Sequence, residues 1–102
     1  MIAEISVVPI GEGIELAKHI AKVVKIIDES GFDYKINAMG TVVEGDSDQV
    51  FDLIKRCHNK MLESAQRVYT VVKIDERKDR NGKMIEHKVQ AVEKELGKNL
   101  KK

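Results

Sequence analysis

Apolar and polar residues alternate in some segments of the chain and follow a helical period in others. Alternation of this kind predicts β-strands over residues 2–9, 34–39, 41–44 and 67–75. Apolar stripes at helical spacing predict amphipathic helices over residues 13–30, 46–65 and 84–97. The predicted order is therefore β-α-β-β-α-β followed by a C-terminal helix.

Local signals place the ends of these elements. Pro9 can end the pairing of the first strand, and Gly31 ends the first helix. Gly40 permits a turn between the two central strands, and Asp46 or Ser47 can cap the second helix. The predicted buried stripe of that second helix is Val50, Phe51, Ile54, Cys57, Met61 and Ala65.

This order of elements is the split βαβ arrangement of an α+β, ferredoxin-like sandwich. We expect one domain over residues 1–102, with the additional helix at 84–97 and a basic, solvated tail at 98–102. Right-handed crossovers put both crossover helices on one face of the sheet and leave the other face open. The residues assigned to that open face are Glu4, Ser6, Val8, Lys35, Asn37, Met39, Tyr69, Val71 and Lys73.

The open face mixes apolar and polar side chains, and such a patch usually marks a partner or ligand surface. We expect it to be covered by a second copy, either sheet against sheet or through the final helix of a neighbouring subunit. The protein is therefore predicted to be a homo-oligomer.

Charge and composition exclude several function classes. The 18 Lys and Arg residues against 17 Asp and Glu leave a net charge of +1, which gives no support for nucleic-acid or membrane binding. The single cysteine, Cys57, cannot form an intrachain disulfide, and no apolar run could cross a bilayer, so we expect a cytoplasmic protein. No metal set, nucleophile–base pair or pair of catalytic carboxylates is evident, so neither a metal, a cofactor nor an enzyme activity is expected.

Three stretches together carry a family resemblance. They are Val8-Pro9-Ile10-Gly11, Gly40-Thr41-Val42-Val43-Glu44-Gly45, and Arg67-Val68 leading to Lys73-Ile74-Asp75-Glu76-Arg77-Lys78-Asp79. In this order and spacing the chain resembles the thiamine-binding protein family, which is related to the YkoF-type hydroxymethylpyrimidine/thiamine-binding proteins. The resemblance implies a ferredoxin-like subunit, a homotetramer built from dimers, and non-catalytic binding of thiamine or its pyrimidine moiety near a subunit interface. The first helix departs from the family, which commonly has serines and an aromatic residue where this chain has Glu15, Ala17 and His19.

Five residues are candidates for ligand contact. Ser6 and Asn37 are small donors and acceptors on the open face. Thr41 and Glu44 flank the third strand on opposite faces, and the carboxylate of Glu44 could pair with an aminopyrimidine or offset a thiazolium charge. Arg77 could bind an anion, or form an ion pair with Asp79 or Glu76 between subunits.

One other interpretation of the function stays open. The chain could be a regulatory or structural oligomerisation domain that binds a different small molecule or anion, with the open face serving assembly alone. His58, beside Cys57 on the second helix, fits a hydrogen-bonded packing role better than ligand contact, because neighbouring helix residues diverge by about 100°.

Overall fold

The computed structural model describes residues 1–102 and contains four strands and three helices in the predicted order. The elements are β1 (Ile2–Ile10), α1 (Ala17–Glu29), β2 (Asp33–Asn37), β3 (Gly40–Glu44), α2 (Ser47–Leu62), β4 (Arg67–Asp75) and α3 (Met84–Leu96). The strands form one antiparallel sheet in the order β2-β3-β1-β4. This order confirms the α+β, ferredoxin-like fold, because the long helical connections place β3 between the parallel strands β1 and β2.

The core lies between the sheet and the layer formed by α1 and α2. Ala3, Ile5 and Val7 of β1 alternate toward the helices, as the period of two requires. Two helical stripes meet them, and the buried helix residues are Val23 and Ile27 of α1 and Val50, Leu53, Cys57 and Met61 of α2.

Three features differ from the predictions: the start of the first helix, the buried face of the second helix and the end of the second strand. Helix α1 begins at Ala17 rather than near 13. Gly11 and Gly13 adopt left-handed conformations with φ of 88° and 82°, which keeps residues 11–13 out of the helix. The predicted burial of Phe51 is wrong, since its side chain is 53% exposed and Leu53 is buried instead. Met39 lies in the turn after β2 and not in a strand.

Strand β1 continues through Pro9 and pairs with β4 as far as Ile10. Pro9 does not interrupt this ladder because its nitrogen faces the opposite edge of β1. The backbone pair between Met1 and Gly45 puts the odd-numbered residues of β1 on the β3 side, so only even-numbered residues exchange hydrogen bonds with β4. The missing N–H of proline therefore costs no ladder bond.

The second face of the sheet is not wholly open. Helix α3 of the same chain packs over β3, and its N-terminus is fixed by the Glu44 carboxylate. The expectation of a fully uncovered face is therefore wrong for this half of the sheet. The half formed by the C-terminal part of β1 and the N-terminal part of β4 stays bare, with Tyr69 and Val71 exposed.

Candidate functional site

A notch in the sheet is the feature on which the candidate site is built. Strand β1 pairs with β4 over all nine residues but with β3 only from Ile2 to Ile5. Beyond Ile5 the β3 side of β1 has no strand partner. By the alternation of the ladder, the N–H and C=O of Val7 and the C=O of Pro9 point into this notch. Two acceptors and one donor of the main chain are thus available to a ligand.

A cavity of about 280 Å³ lies in the notch, between α1 and the sheet. Its size is close to the lower end of the roughly 300–1,000 Å³ typical of small-molecule pockets. The wall from α1 and the residue before it is entirely apolar and consists of Leu16, Ile20, Val23, Val24 and Ile27. Ile5 and Val7 form the opposite wall, and the turn at Ala38 and Met39 borders the cavity. Such a lining suits a small, flat and weakly polar molecule.

Three of the five predicted site residues line this cavity: Ser6, Asn37 and Thr41. Thr41 is 5% exposed and faces the helix layer, where it brings a hydroxyl into an otherwise apolar wall. Ser6 and Asn37 lie on strands at the other face of the sheet, and they reach the cavity beside Gly40, where β3 begins. The structure therefore brings predicted residues from β1, β2 and β3 together at one cavity.

Glu44 lies elsewhere and has a different set of partners. Its carboxylate is 6% exposed and accepts hydrogen bonds from the amide of Met84 at 2.7 and 3.0 Å and from that of Ile85 at 3.2 Å. These are the free N–H groups at the start of α3, so Glu44 caps that helix from a distant strand. Its lone pairs are committed to the backbone rather than to the cavity.

Arg77 also lies outside the cavity. Its guanidinium donates to both carboxylate oxygens of Asp79 in the same chain, at 3.0 and 2.6 Å. This contact lowers the pKa of Asp79 and raises the pKa of Arg77. The ion pair predicted as a link between subunits is formed within one chain, and it occupies the fork that an anion would use.

The three departures from the family pattern lie at the start of α1 and just before it, and they do not line the cavity. Glu15 and Ala17 are exposed, and His19 is half-buried. The Nδ1 atom of His19 is buried without a hydrogen-bond partner. The apolar wall is supplied by their neighbours in the helical stripe, so these substitutions leave it intact.

His58 and Cys57 have separate environments, as the helical geometry predicts. The Nδ1 atom of His58 forms a 2.7 Å hydrogen bond with the hydroxyl of Thr70, which joins α2 to β4. Cys57 is a free, fully buried thiol, and burial raises its pKa to about 11. The two side chains do not form a nucleophile–base pair.

No group of three or more His, Cys, Asp or Glu residues is arranged to hold a metal ion. None of the helices has the length and apolar character to cross a membrane.

Sequence reasoning missed the main-chain groups of Val7 and Pro9 and the apolar wall of α1. One signal was available in the unequal predicted lengths, since the first strand is about twice as long as the third. A long strand beside a short one must leave part of its edge unpaired. Periodicity indicated that α1 packs on the sheet, but a stripe of this kind cannot show where contact is incomplete.

The fold and the cavity together define a class: a ferredoxin-like domain with a small-molecule cavity between its first helix and an unpaired stretch of its first strand. Residues 3–93 match the model of the family described as "Thiamine-binding protein", and the chain belongs to this family. The resemblance found in the three sequence stretches is thereby confirmed.

Relatives and solved structures agree with this assignment. The UPF0045 protein MJ1052 of Methanocaldococcus jannaschii is 37% identical over 92 residues, which cover 90% of this chain and 91% of the relative. Its crystal structure has a TM-score of 0.82, with 89% of this chain and 93% of that chain covered. The UPF0045 protein of Methanothermobacter thermautotrophicus is 32% identical over 97 residues, covering 92% and 97% of the two chains. A Thermotoga maritima protein provisionally assigned to thiamine biosynthesis or salvage has a TM-score of 0.78 at 27% identity, covering 89% and 96%.

Proposed function

We propose that this protein binds thiamine or its hydroxymethylpyrimidine moiety, without catalysing a reaction, in the cavity between α1 and the sheet. The name of the family and the provisional assignment of the Thermotoga maritima neighbour support the ligand class. The observation that carries the proposal is the notch itself. It combines an apolar, ring-sized cavity with an unpaired donor and acceptor on Val7.

The pyrimidine of thiamine has a complementary edge. Its exocyclic amine is a donor, and the adjacent ring nitrogen is an acceptor. A residue in an extended strand presents its N–H and C=O in the same direction, so Val7 can pair with both groups as a further strand would. The hydroxyl of Thr41 lies on the same cavity wall and can hold a further polar group of the ring.

Titration calorimetry with hydroxymethylpyrimidine, thiamine and the 4-oxo analogue of the pyrimidine tests this proposal. The analogue replaces the amine donor with a carbonyl and protonates the ring nitrogen, which reverses the edge. We expect its affinity to fall at least about tenfold, because a site built to pair with polar groups leaves them unpaired against the wrong partner. At 100 times the dissociation constant, the correct ligand is expected to stabilise the protein by about 2.7 kcal/mol.

A matched pair of variants locates the site. Thr41→Val removes the cavity hydroxyl and is expected to weaken binding about fivefold, the effect of one neutral hydrogen bond. Thr70→Val makes the same chemical change on the helix-facing side of β4, outside the cavity, where the hydroxyl contacts His58. It is expected to leave the affinity unchanged. An equal loss of affinity in both variants would overturn the proposal. So would the absence of binding heat with both hydroxymethylpyrimidine and thiamine.

We further propose that copies of the chain associate through the bare half of the second sheet face. Val8, Tyr69 and Val71 lie there on paired positions of β1 and β4, and Tyr69 and Val71 are 57% and 49% exposed. Exposed apolar area of this kind is typical of a partner surface. Light scattering is expected to give a multiple of 11.5 kDa, and Val71→Lys is expected to reduce it. A monomeric mass for the unmodified protein would refute self-association.

A further inference from the structure

A second cavity, of about 750 Å³, lies on the opposite face of the sheet from the α1 cavity. Its floor includes Ile2 and Val42, and its roof includes Ile85 and Val89 of α3 and Leu100 of the C-terminal tail. The enclosed surface is therefore apolar on two sides. Ile36 and Asn37 line both cavities, which therefore meet at the end of β2. The contacts proposed for the pyrimidine, with Val7 and Thr41, do not use this second space, since neither residue lines it.

The rim of this cavity is basic. Lys35, Lys88, Lys101 and Lys102 line it, whereas Glu86 is its only acidic lining residue. Lys88 pairs with Asp75, and Lys102 pairs with Glu93 at 2.8 Å. Neither Lys35 nor Lys101 has a carboxylate within 4 Å. Two uncompensated cations thus face a cavity with apolar walls.

The cavity is built by contacts that do not depend on a ligand. Glu44 holds the N-terminus of α3 against β3, so this helix end is already neutralised and is not itself the anion site. Glu93 accepts a hydrogen bond from the amide of Leu100 at 2.6 Å, which folds the tail back along the helix. The position of Lys101 follows from that return of the chain.

We propose that the cavity under α3 binds a small amphipathic anion, with its carboxylate or phosphate between Lys35 and Lys101 and its apolar body against Val42 and Val89. Charge complementarity selects the head group, since a neutral or cationic head would leave the two lysines unpaired. The volume suits a body of small-molecule size and not a polymer.

Matched probes test the head group. Octanoate, octyl phosphate, octanol and octyltrimethylammonium share one chain length and are used below their aggregation concentrations, which separates a free anion from a lipid surface. Amide chemical shifts of α3 report the binding. We expect both anions to bind at least about tenfold more tightly than octanol, a difference of about 1.4 kcal/mol, and the cation not to bind. Equal binding of octanol and octanoate would overturn the proposal. Binding of anionic vesicles without binding of either free anion would overturn it in favour of a membrane surface.

Variants separate this site from the pyrimidine site. Two variants, Lys35→Met and Lys101→Met, keep the long apolar stem of the side chain, and each is expected to weaken octanoate binding several-fold. The control is Lys98→Met, which lies in the tail but outside the lining of the cavity and is expected to have no effect. Val89→Trp fills the cavity and provides a second test should a lysine variant alter the tail. Pyrimidine affinity is expected to be the same in all four variants. Loss of octanoate binding in Lys98→Met as well would show non-specific charge attraction and refute the assignment.

Discussion

Helices α1 and α2 on one face of the sheet and helix α3 on the other differ in how they are held. The first layer packs through side chains that are completely or almost completely buried, among them Val43, Val50 and Leu53. Helix α3 buries only Met84 and Glu93, and two polar contacts link it to the sheet. They are the Glu44 cap and the pair between Lys88 and Asp75.

The two proposed sites are therefore expected to differ in rigidity. Apolar packing contains no group that titrates and no charge that salt screens, and it fixes the α1 cavity as part of the core. A helix held by a few polar contacts can open locally at a lower cost than global unfolding. The cavity under α3 is therefore the one expected to respond to conditions.

The largest expected effect is on the packed side. Leu53→Ala is expected to lower the free energy of unfolding by about 3 kcal/mol, within the range for large cavities in a core. Leu62→Ala, on the same helix but with a side chain that is 45% exposed, is the control and is expected to cost under about 1 kcal/mol. Urea titration measures both. Equal losses of stability in the two variants would contradict the claim that buried apolar side chains hold α1 and α2 on the sheet.

The next effect concerns the cap of α3. Glu44→Ala leaves the buried amides of Met84 and Ile85 without acceptors, at an expected cost of about 2 kcal/mol. Hydrogen exchange is expected to accelerate in α3 and to stay unchanged in α1 and α2. Glu86→Ala, an exposed change on the first turn of α3, is the control. Uniform acceleration across all three helices would show that α3 does not open separately.

Sequence reasoning succeeded where a pattern is local. The ends of β4 and the start of α3 at Met84 agree with the predicted ranges, because alternation and helical period are read from neighbouring residues. It failed for Glu44, where the partner is 40 residues away in the sequence and belongs to a helix end with no side-chain cap of its own. Ser6, Asn37 and Thr41 lie at one cavity because strands of a split βαβ unit must lie side by side, and their contact with a ligand stays a prediction. The notch depends on register, which the pattern alone does not fix.

Acid is expected to release α3 and its tail before the rest of the fold. Lys102 and the amide of Leu100 lower the pKa of Glu93, and Lys88 lowers the pKa of Asp75. The pKa values of both carboxylates are lower in the docked state than in the released state. As the pH falls, the released state therefore binds protons at a higher pH than the docked state does. The carboxylates therefore favour docking above about pH 4, near their unfolded pKa values, and this support is lost as pH falls through the lowered values.

Proton titration followed by amide shifts tests this order. Signals of α3 and the tail are expected to change at a higher pH than those of α1. In the double variant Glu93→Gln with Asp75→Asn, the early change is expected to be smaller, because these two groups can no longer titrate. Simultaneous loss of all three helices in the unmodified protein would contradict separate release.

The smallest effect is expected from the pair of Lys88 and Asp75 alone. Both side chains are about half exposed, at 43% and 54%, so water and salt compete with the contact. Asp75→Asn is therefore expected to accelerate exchange in α3 much less than Glu44→Ala, and the difference from the unmodified protein is expected to vanish in 1 M salt, where screening acts over about 3 Å. Asp48→Asn, on α2 and outside any ion pair, is the matched control. An effect of Asp75→Asn as large as that of Glu44→Ala would mean that the exposed pair, and not the buried cap, holds α3 on the sheet.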